Sequence, residues 1–363
     1  MTPPGAQASP TQASESPALP QSPYLPTTCA IGVDVGGTKI ATGLVQFPQG
    51  TILAGQTVPT RAQRGGYAVL ADAVDAAAAL LGEAAAQGLQ VTGIGVDVCE
   101  LVDPSGCVTS SHTVAWAGLP VREAFAQLAP SGRPVAVAVE ADVRAHALAE
   151  AHLGAGRGRP TFVFVTVGTG ISSCFVQHCV PFAGTHGNAL VLASSPYITT
   201  CTACGATLRL VLEEIASGPG LVALYNHAIA DRRGMRSGAH SFLTASNAPA
   251  PDLVPPPATR SEDVLLAASA GDEAALSAIH TAAGALGVSI GWLVNVLDPA
   301  AIVVGGGLGA APGLYWDRMA ASAREHIWSD VSRSVPIVPA ALGPAAGLIG
   351  AALAAVLPMS SPG

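Results

Sequence analysis

The stretch IGVDVGGTKIATGLV, residues 31–45, decides how the chain reads. Ile31 and Val33 belong to a buried strand, and Ile40, Ala41 and Leu44 open a second. Between them lie an acid, Asp34, and the turn Gly36-Gly37-Thr38-Lys39. A hydrophobic hairpin gains nothing from an acid and a bare backbone at its tip. Glycine lets backbone N–H groups approach phosphate oxygens closely and take up positive φ, and a Thr hydroxyl adds a donor. A divalent cation that accompanies phosphates is held by one or two carboxylates, usually through water. The turn therefore predicts a phosphate site, with Asp34 serving Mg2+ through water.

Working outward, the pattern recurs. The segment PTFVFVTVGTGISSCFVQHCVPF (160–182) is a second hairpin tipped by Gly168-Thr169-Gly170, roughly 130 residues further on, which suggests a duplicated architecture. A third cluster, Gly305-Gly306-Gly307, ends the strand AIVVGGG (301–307). Tight hairpins that use glycine for turn geometry alone are the competing reading, and three clusters together weaken it. Strands at 91–103 and 134–140 and helices near 67–87, 121–128, 142–154, 208–217, 219–231, 261–297 (broken near Gly271) and 313–328 complete an α/β alternation of two lobes. The expected division is a Pro/Ser-rich tail at 1–28, a first lobe at 29–141 joined by a C-terminal helix at 342–357, and a second lobe at 142–341. The Pro-rich stretch 233–260 reads as a surface loop within the second lobe.

Composition excludes some functions. Half of the 363 residues are apolar, only 11% are charged, and the net charge is −8 with basic residues scattered. A nucleic-acid surface needs clustered Lys and Arg, so none is expected. Of the 16 basic residues 15 are Arg, and Lys39 is the single Lys. Seven cysteines without framework spacing suggest a reducing cytoplasm. The first 28 residues lack the basic start and apolar run of a signal peptide. LGPAAGLIGAALAAVL (342–357) is short of the ~20 residues needed to span a bilayer, so no membrane is expected as a partner.

Four stretches, DVGGTKIATGLV, VTVGTGISSCFV, LEEIASGPGL and WLVNVLDPAAIVVGGGLG, resemble in that order the ROK family of sugar kinases and their transcriptional relatives, from about residue 30 to 355. The resemblance implies a pair of ribonuclease-H-like lobes, of the actin and hexokinase type, closing a central cleft over ATP-Mg and a sugar. It implies that Asp34, Gly36, Gly37, Thr38 and Lys39 and then Gly168, Thr169 and Gly170 bind the phosphates of ATP. Gly305, Gly306, Gly307 and Leu308 would lie near the adenosine. The family's Asn-Asp pair falls on Ala141-Asp142, which makes Asp142 the implied general base for the sugar hydroxyl. Read from sequence alone, Asp142 is also an ordinary helix cap. Glu213 falls on a sugar-contacting glutamate, and Trp116 either follows the family's first sugar-side loop or is a core aromatic.

The chain also departs from the family. Cys99-Glu100 replaces Pro-Gly before Leu101-Val102-Asp103-Pro104, and GNALVLAS (187–194) lacks the sugar-binding Glu and His. Cys201 and Cys204 remain of the family's zinc cysteines, and two ligands cannot fill a tetrahedral site, so no zinc is expected. Glu100, His112 and His186 are the polar residues that could replace the lost sugar contacts. The reading is an ATP- and Mg2+-dependent kinase for a hexose or amino sugar, cytoplasmic, with a homodimer as the candidate assembly. A ligand sensor without turnover, or a kinase for an unusual sugar or polyol, is the alternative. Direct DNA binding is not expected, because 28 irregular residues before the first turn are too few for a helix-turn-helix.

Overall fold

The opening hairpin forms from β1 (Thr28–Val35) and β2 (Lys39–Phe47), in register from Thr28 opposite Phe47 to Val35 opposite Ile40. The chain is seen here as a computed structural model that describes residues 25, 27–129, 135–189, 198–200, 207–209, 211–232 and 256–357. An antiparallel β3 (Thr51–Pro59) extends the meander on the far side of β2. After helix α1 (Gly66–Ala86) the chain returns beside β1 as parallel β4 (Val91–Val98). After α2 (Val121–Ala126) it adds β5 (Ala136–Ala141), also parallel. The strand order is β3-β2-β1-β4-β5.

Helix α3 (Asp142–Leu153) leads to a second meander of β6 (Thr161–Val167), β7 (Ile171–Gln177) and β8 (Val180–Pro181). A short pair, β9 (Ile198–Thr200) and β10 (Thr207–Arg209), precedes helices α4 (Leu212–Ala216), α5 (Gly218–Arg232), α6 (Ser261–Ser269) and α7 (Glu273–Leu297). Then β11 (Ile302–Gly305), α8 (Leu314–His326) and β12 (Ile337–Pro339) follow, with β11 parallel to β6 and β12 parallel to β11. The order β12-β11-β6-β7-β8 repeats the plan of the first sheet: a three-strand meander with two parallel strands added beside its first member. The doubled α/β architecture is thus present. One helix is shorter than expected, because 208–217 begins with strand β10 and turns helical only at Leu212.

The last helix, α9 (Ala346–Val356), packs on β1 and β4 and against α3. Its approach depends on missing side chains. A Cβ on Gly32 would lie 2.0 Å from the Leu348 carbonyl oxygen, one on Gly95 1.7 Å from that of Ala351, and one on Gly350 1.8 Å from that of Ala145. Nearly every α9 residue is buried, and the helix clamps α3 onto the first sheet. Helix α7 is long and apolar enough to cross a membrane, but 61% of that apolar window is buried against the second sheet's helices and strands. Trp116 is fully buried and donates its indole N–H to the Gly66 carbonyl at 3.0 Å, so it is a core aromatic.

Candidate active site

The expected site residues fall into three groups. The first is the second glycine turn. Gly168 N–H donates to Gly170 O at 2.9 Å, Gly218 N–H to Gly168 O at 2.8 Å, and Leu308 and Gly309 N–H to Val167 O at 3.1 and 3.0 Å. Three glycine segments, 168–170, 218–220 and 305–309, are therefore knitted through the end of β6. Gly306 has φ of 82°, and a Cβ there would sit 2.3 Å from Val167 O, so only glycine fits. Around this knot opens a cleft of ≈ 690 Å3 whose walls include Gly168, Thr169, Gly218, Asn226, Arg260 and Gly307. Positions a Cβ would occupy on Gly168 and Gly307 have no heavy atom within 4 Å. The result is open backbone suited to a phosphate chain and a nucleoside.

None of Gly36, Gly37, Gly168 and Gly170 takes a positive φ. Glycine serves these turns by close approach instead. A Cβ on Gly37 would meet Thr113 Cγ2 at 2.6 Å, and one on Gly170 would meet Glu213 Oε2 at 2.8 Å. Glu213 Oε2 accepts the Ile171 N–H at 2.9 Å, so this expected sugar ligand braces the second turn from α4. Sequence reasoning singled out neither Asn226 nor Arg260. Asn226 exchanges two hydrogen bonds with Ala258, at 2.8 and 2.9 Å, and so holds the segment carrying Arg260 against α5.

The second group lies where β1, β4 and β5 end. Asp34, Asp97 and Glu140 are direct neighbours across the three parallel strands. Asp142 follows on α3, with its Oδ1 accepting the Val143 N–H at 2.6 Å. His146 Nδ1 lies 2.7 Å from the Asp142 carbonyl oxygen, which can only accept, so Nδ1 carries the proton. Its ring stacks on Phe164 with centroids 6.1 Å apart. Burial, opposed by His146 and the Val143 amide, holds the Asp142 carboxyl above the ordinary range. Asp97 is 0% exposed, and neither of its carboxyl oxygens accepts a hydrogen bond. Burial, then the Asp34 and Asp142 carboxylates, push it well above the ordinary range.

Magnitudes show why. Two unit charges about 4 Å apart repel by about 4 kcal/mol at an effective dielectric of 20. The nearby N-terminus of α9 returns only ~0.3–1 kcal/mol to an anion. Burial and the neighbouring like charges therefore favour the neutral form of Asp97. The α9 contact is direct, because a Cβ on Gly347 would lie 2.9 Å from both Asp34 Oδ2 and His146 Cε1. Mg2+ keeps much of its water, which half-buried Asp34 can meet and fully buried Asp97 cannot, and among the described residues there is no group of three metal ligands.

The third group surrounds the loops expected to face a sugar. Glu100 is buried and accepts from the Ser110 hydroxyl and the amides of His112 at 2.8 Å, Thr113 at 2.5 Å and Val114 at 2.7 Å. It organises the 110–114 loop that packs on Gly37, rather than facing open space. His112 is exposed on the same loop. His186 is exposed and lines a cleft of ≈ 430 Å3 with Asp103, Thr109 and Asn188. Arg144 ties these loops together: it pairs with Glu140 and donates to Val102 O at 2.6 Å and Gly187 O at 2.7 Å. Cys201, Cys204 and residues 190–194 lie outside the described residues.

The whole span of these groups, residues 30–356, matches the model of the ROK family. The chain belongs to the ROK family. A glucokinase from Streptomyces coelicolor is 29% identical over 324 residues, covering 89% of this chain and 96% of that protein. An N-acetylmannosamine kinase from Escherichia coli is 27% identical, covering 78% and 84%. The crystal structure of a ROK family glucokinase from Streptomyces griseus, in complex with glucose and AMPPNP, superposes with a TM-score of 0.67 at 27% identity, covering 90% and 99%. These ROK relatives are sugar kinases, and the fold is the paired-lobe fold of that family.

Proposed function

We propose that this ROK protein transfers the γ-phosphoryl group of ATP to a hydroxyl of a hexose or amino sugar. The observation that carries the reading is the open glycine knot at Val167, on which three backbone segments offer a nucleotide cradle. Gly168 to Gly170 would meet phosphates and Gly305 to Leu308 the adenosine end, while the Gly36 to Lys39 turn would meet phosphates from the opposite sheet. Asp34 would hold Mg2+ through water, and the ion neutralises phosphate charge when bound. Asp142 would accept the hydroxyl proton, and a carboxyl raised by burial is a stronger base once ionised. Sugar-kinase relatives support the class, and the acceptor is open between the hexose and acetylated amino sugar of those relatives. Cytoplasmic placement, where ATP is available, and a homodimer belong to this reading.

A second reading has its own observation. Glu100 and Glu213, the two acids expected at the sugar, are both spent on backbone amides, and Ala141 stands where the family has Asn. A pocket rebuilt in this way suits a sensor that binds ligand without turnover, or an unusual acceptor. ATP consumption by the purified protein across hexoses, amino sugars, acetylated amino sugars and inositols separates the readings. Turnover with one of them supports the kinase. Sugar binding by calorimetry without turnover supports the sensor.

A further inference from the structure

Arg144 is a buried cation for which the proposed transfer has no use. A guanidinium out of water is costly unless its donors are taken up, and its planar fork fixes where the acceptors must stand. Three separate segments supply them. Nε donates to Glu140 Oε1 at 2.5 Å, Nη2 to the Val102 carbonyl at 2.6 Å and Nη1 to the Gly187 carbonyl at 2.7 Å. Val102 follows β4 of the first sheet, and Gly187 follows β8 of the second. The two backbones also touch, because Gly187 has φ of 76° and a Cβ there would lie 2.0 Å from Val102 O.

Each anchored carbonyl belongs to a loop closed on itself. Asp103 N–H donates to Cys107 O at 2.9 Å and Thr109 N–H to Leu101 O at 2.8 Å, so the first loop is a small hairpin. Ala189 N–H returns to Ala183 O at 3.3 Å and closes the second. These loops are the two walls of the ≈ 430 Å3 cleft, with Asp103, Ser105 and Thr109 on one and Thr185, His186 and Asn188 on the other. One rigid planar group bonded to both walls fixes the spacing between them. The lining offers hydroxyls, an imidazole, an amide and one carboxylate, with no Lys or Arg among the described residues. Donors and acceptors together suit a neutral polyhydroxylated molecule, and the Asp103 carboxylate disfavours an anionic one.

The geometry points to Arg144 as a positioning residue that sets the width of this cleft and presents it preformed to a neutral polyhydroxylated acceptor. That the occupant is the acceptor of a phosphoryl group rests on the kinase reading, whereas the fixed spacing of the walls does not.

Arg144→Lys keeps a charge beside Glu140 but lacks the fork that reaches both carbonyls. With glucose and N-acetylmannosamine as acceptor probes, kcat/KM for the acceptor should fall on the order of 10²-fold, the usual cost of a misplacement of about 1 Å, while the KM for ATP stays unchanged. Gly187→Ala, which pushes the walls apart with Arg144 intact, should do the same and serves if the Arg144 variant does not fold. Glu150→Ala is the control for a general loss of stability, because that carboxylate holds amides outside the cleft; it should keep the unmodified acceptor kcat/KM. Unmodified acceptor kinetics in folded Arg144→Lys, or an equal loss toward ATP and acceptor, overturns the inference. Hydrogen exchange carries the test if the unmodified protein turns over neither sugar. Amides of residues 102–109 and 185–189 should then exchange faster in both cleft variants, with those of 161–167 unchanged. Faster exchange without turnover sinks the kinase reading and leaves the positioning role standing, whereas unchanged exchange overturns it.

Discussion

Glu100 and Asp142 carry the same chemical group in opposite surroundings, and the difference can be measured. Burial pushes Glu100 up, but the Ser110 hydroxyl and three amides outweigh it and hold the carboxyl below its ordinary range. A group lowered on folding adds stability above its unfolded pKa and loses it as pH falls through the folded value. Glu100→Gln orphans part of that donor set and should cost about 1–3 kcal/mol at neutral pH. Urea unfolding at several pH values should show the gap between the two proteins closing in acid; a gap independent of pH would remove the charge from the explanation. Asp142 works in the other direction, since its carboxyl is raised and accepts one amide, that of Val143. Asn can accept that amide equally well, and the cap position itself is Ala141 with no side-chain bond. Asp142→Asn should therefore leave stability and ATP affinity nearly unchanged while turnover falls by ~10²–10⁴-fold. Wild-type turnover in this variant would take Asp142 out of the reaction.

At the scale of elements, the two glycine turns differ in what a side chain would do. A Cβ on Gly36 would lie 3.4 Å from Lys39 O with an ordinary φ, so Gly36→Val should fold and lose ATP-Mg affinity through blocked access. Calorimetry that finds unchanged affinity would reduce the first turn to a hairpin. Gly306→Ala meets a left-handed φ and the Val167 carbonyl together, and the strain of order 1–3 kcal/mol should appear as a lower Tm. Both hairpins were legible in the sequence because buried alternation and glycine tips lie within a few residues of each other. Strand β3 was not, because it is an edge strand with every residue exposed or half-buried and so carries no buried alternation. The missed strand β10 has a local cause: Thr207-Leu208-Arg209 alternates with period two but runs directly into helical Leu212-Glu213-Glu214. Asp97, Glu140, Arg144 and His146 went unremarked for a different reason. Strand register brings the two acids beside Asp34, and register between strands tens of residues apart is not written in any local pattern.

Across the whole molecule, one helix connects the two sheets. Helix α3 presents Asp142 at its start, packs on α9 beside the first sheet and on β7 of the second, and ends beside the strap that leaves β12 for α9. Glu150, fully buried near its end, holds that strap. Its carboxylate accepts the amides of Ala155 at 2.6 Å, Ala341 at 3.0 Å and Leu342 at 2.9 Å. Nothing apolar can replace those contacts, because three half-buried or exposed backbone donors would lose their acceptor. Glu150→Ala should therefore cost about 1–3 kcal/mol, with water partly satisfying the freed amides. Glu150→Gln keeps one accepting oxygen and should fall between the variant and the unmodified protein. Denaturant unfolding of the three proteins would show that order. If Glu150→Ala unfolded at the same denaturant concentration as the unmodified chain, the strap would be held by the packing of α9 on its glycine-lined sheet, and the crossing between the two sheets would not depend on this charge.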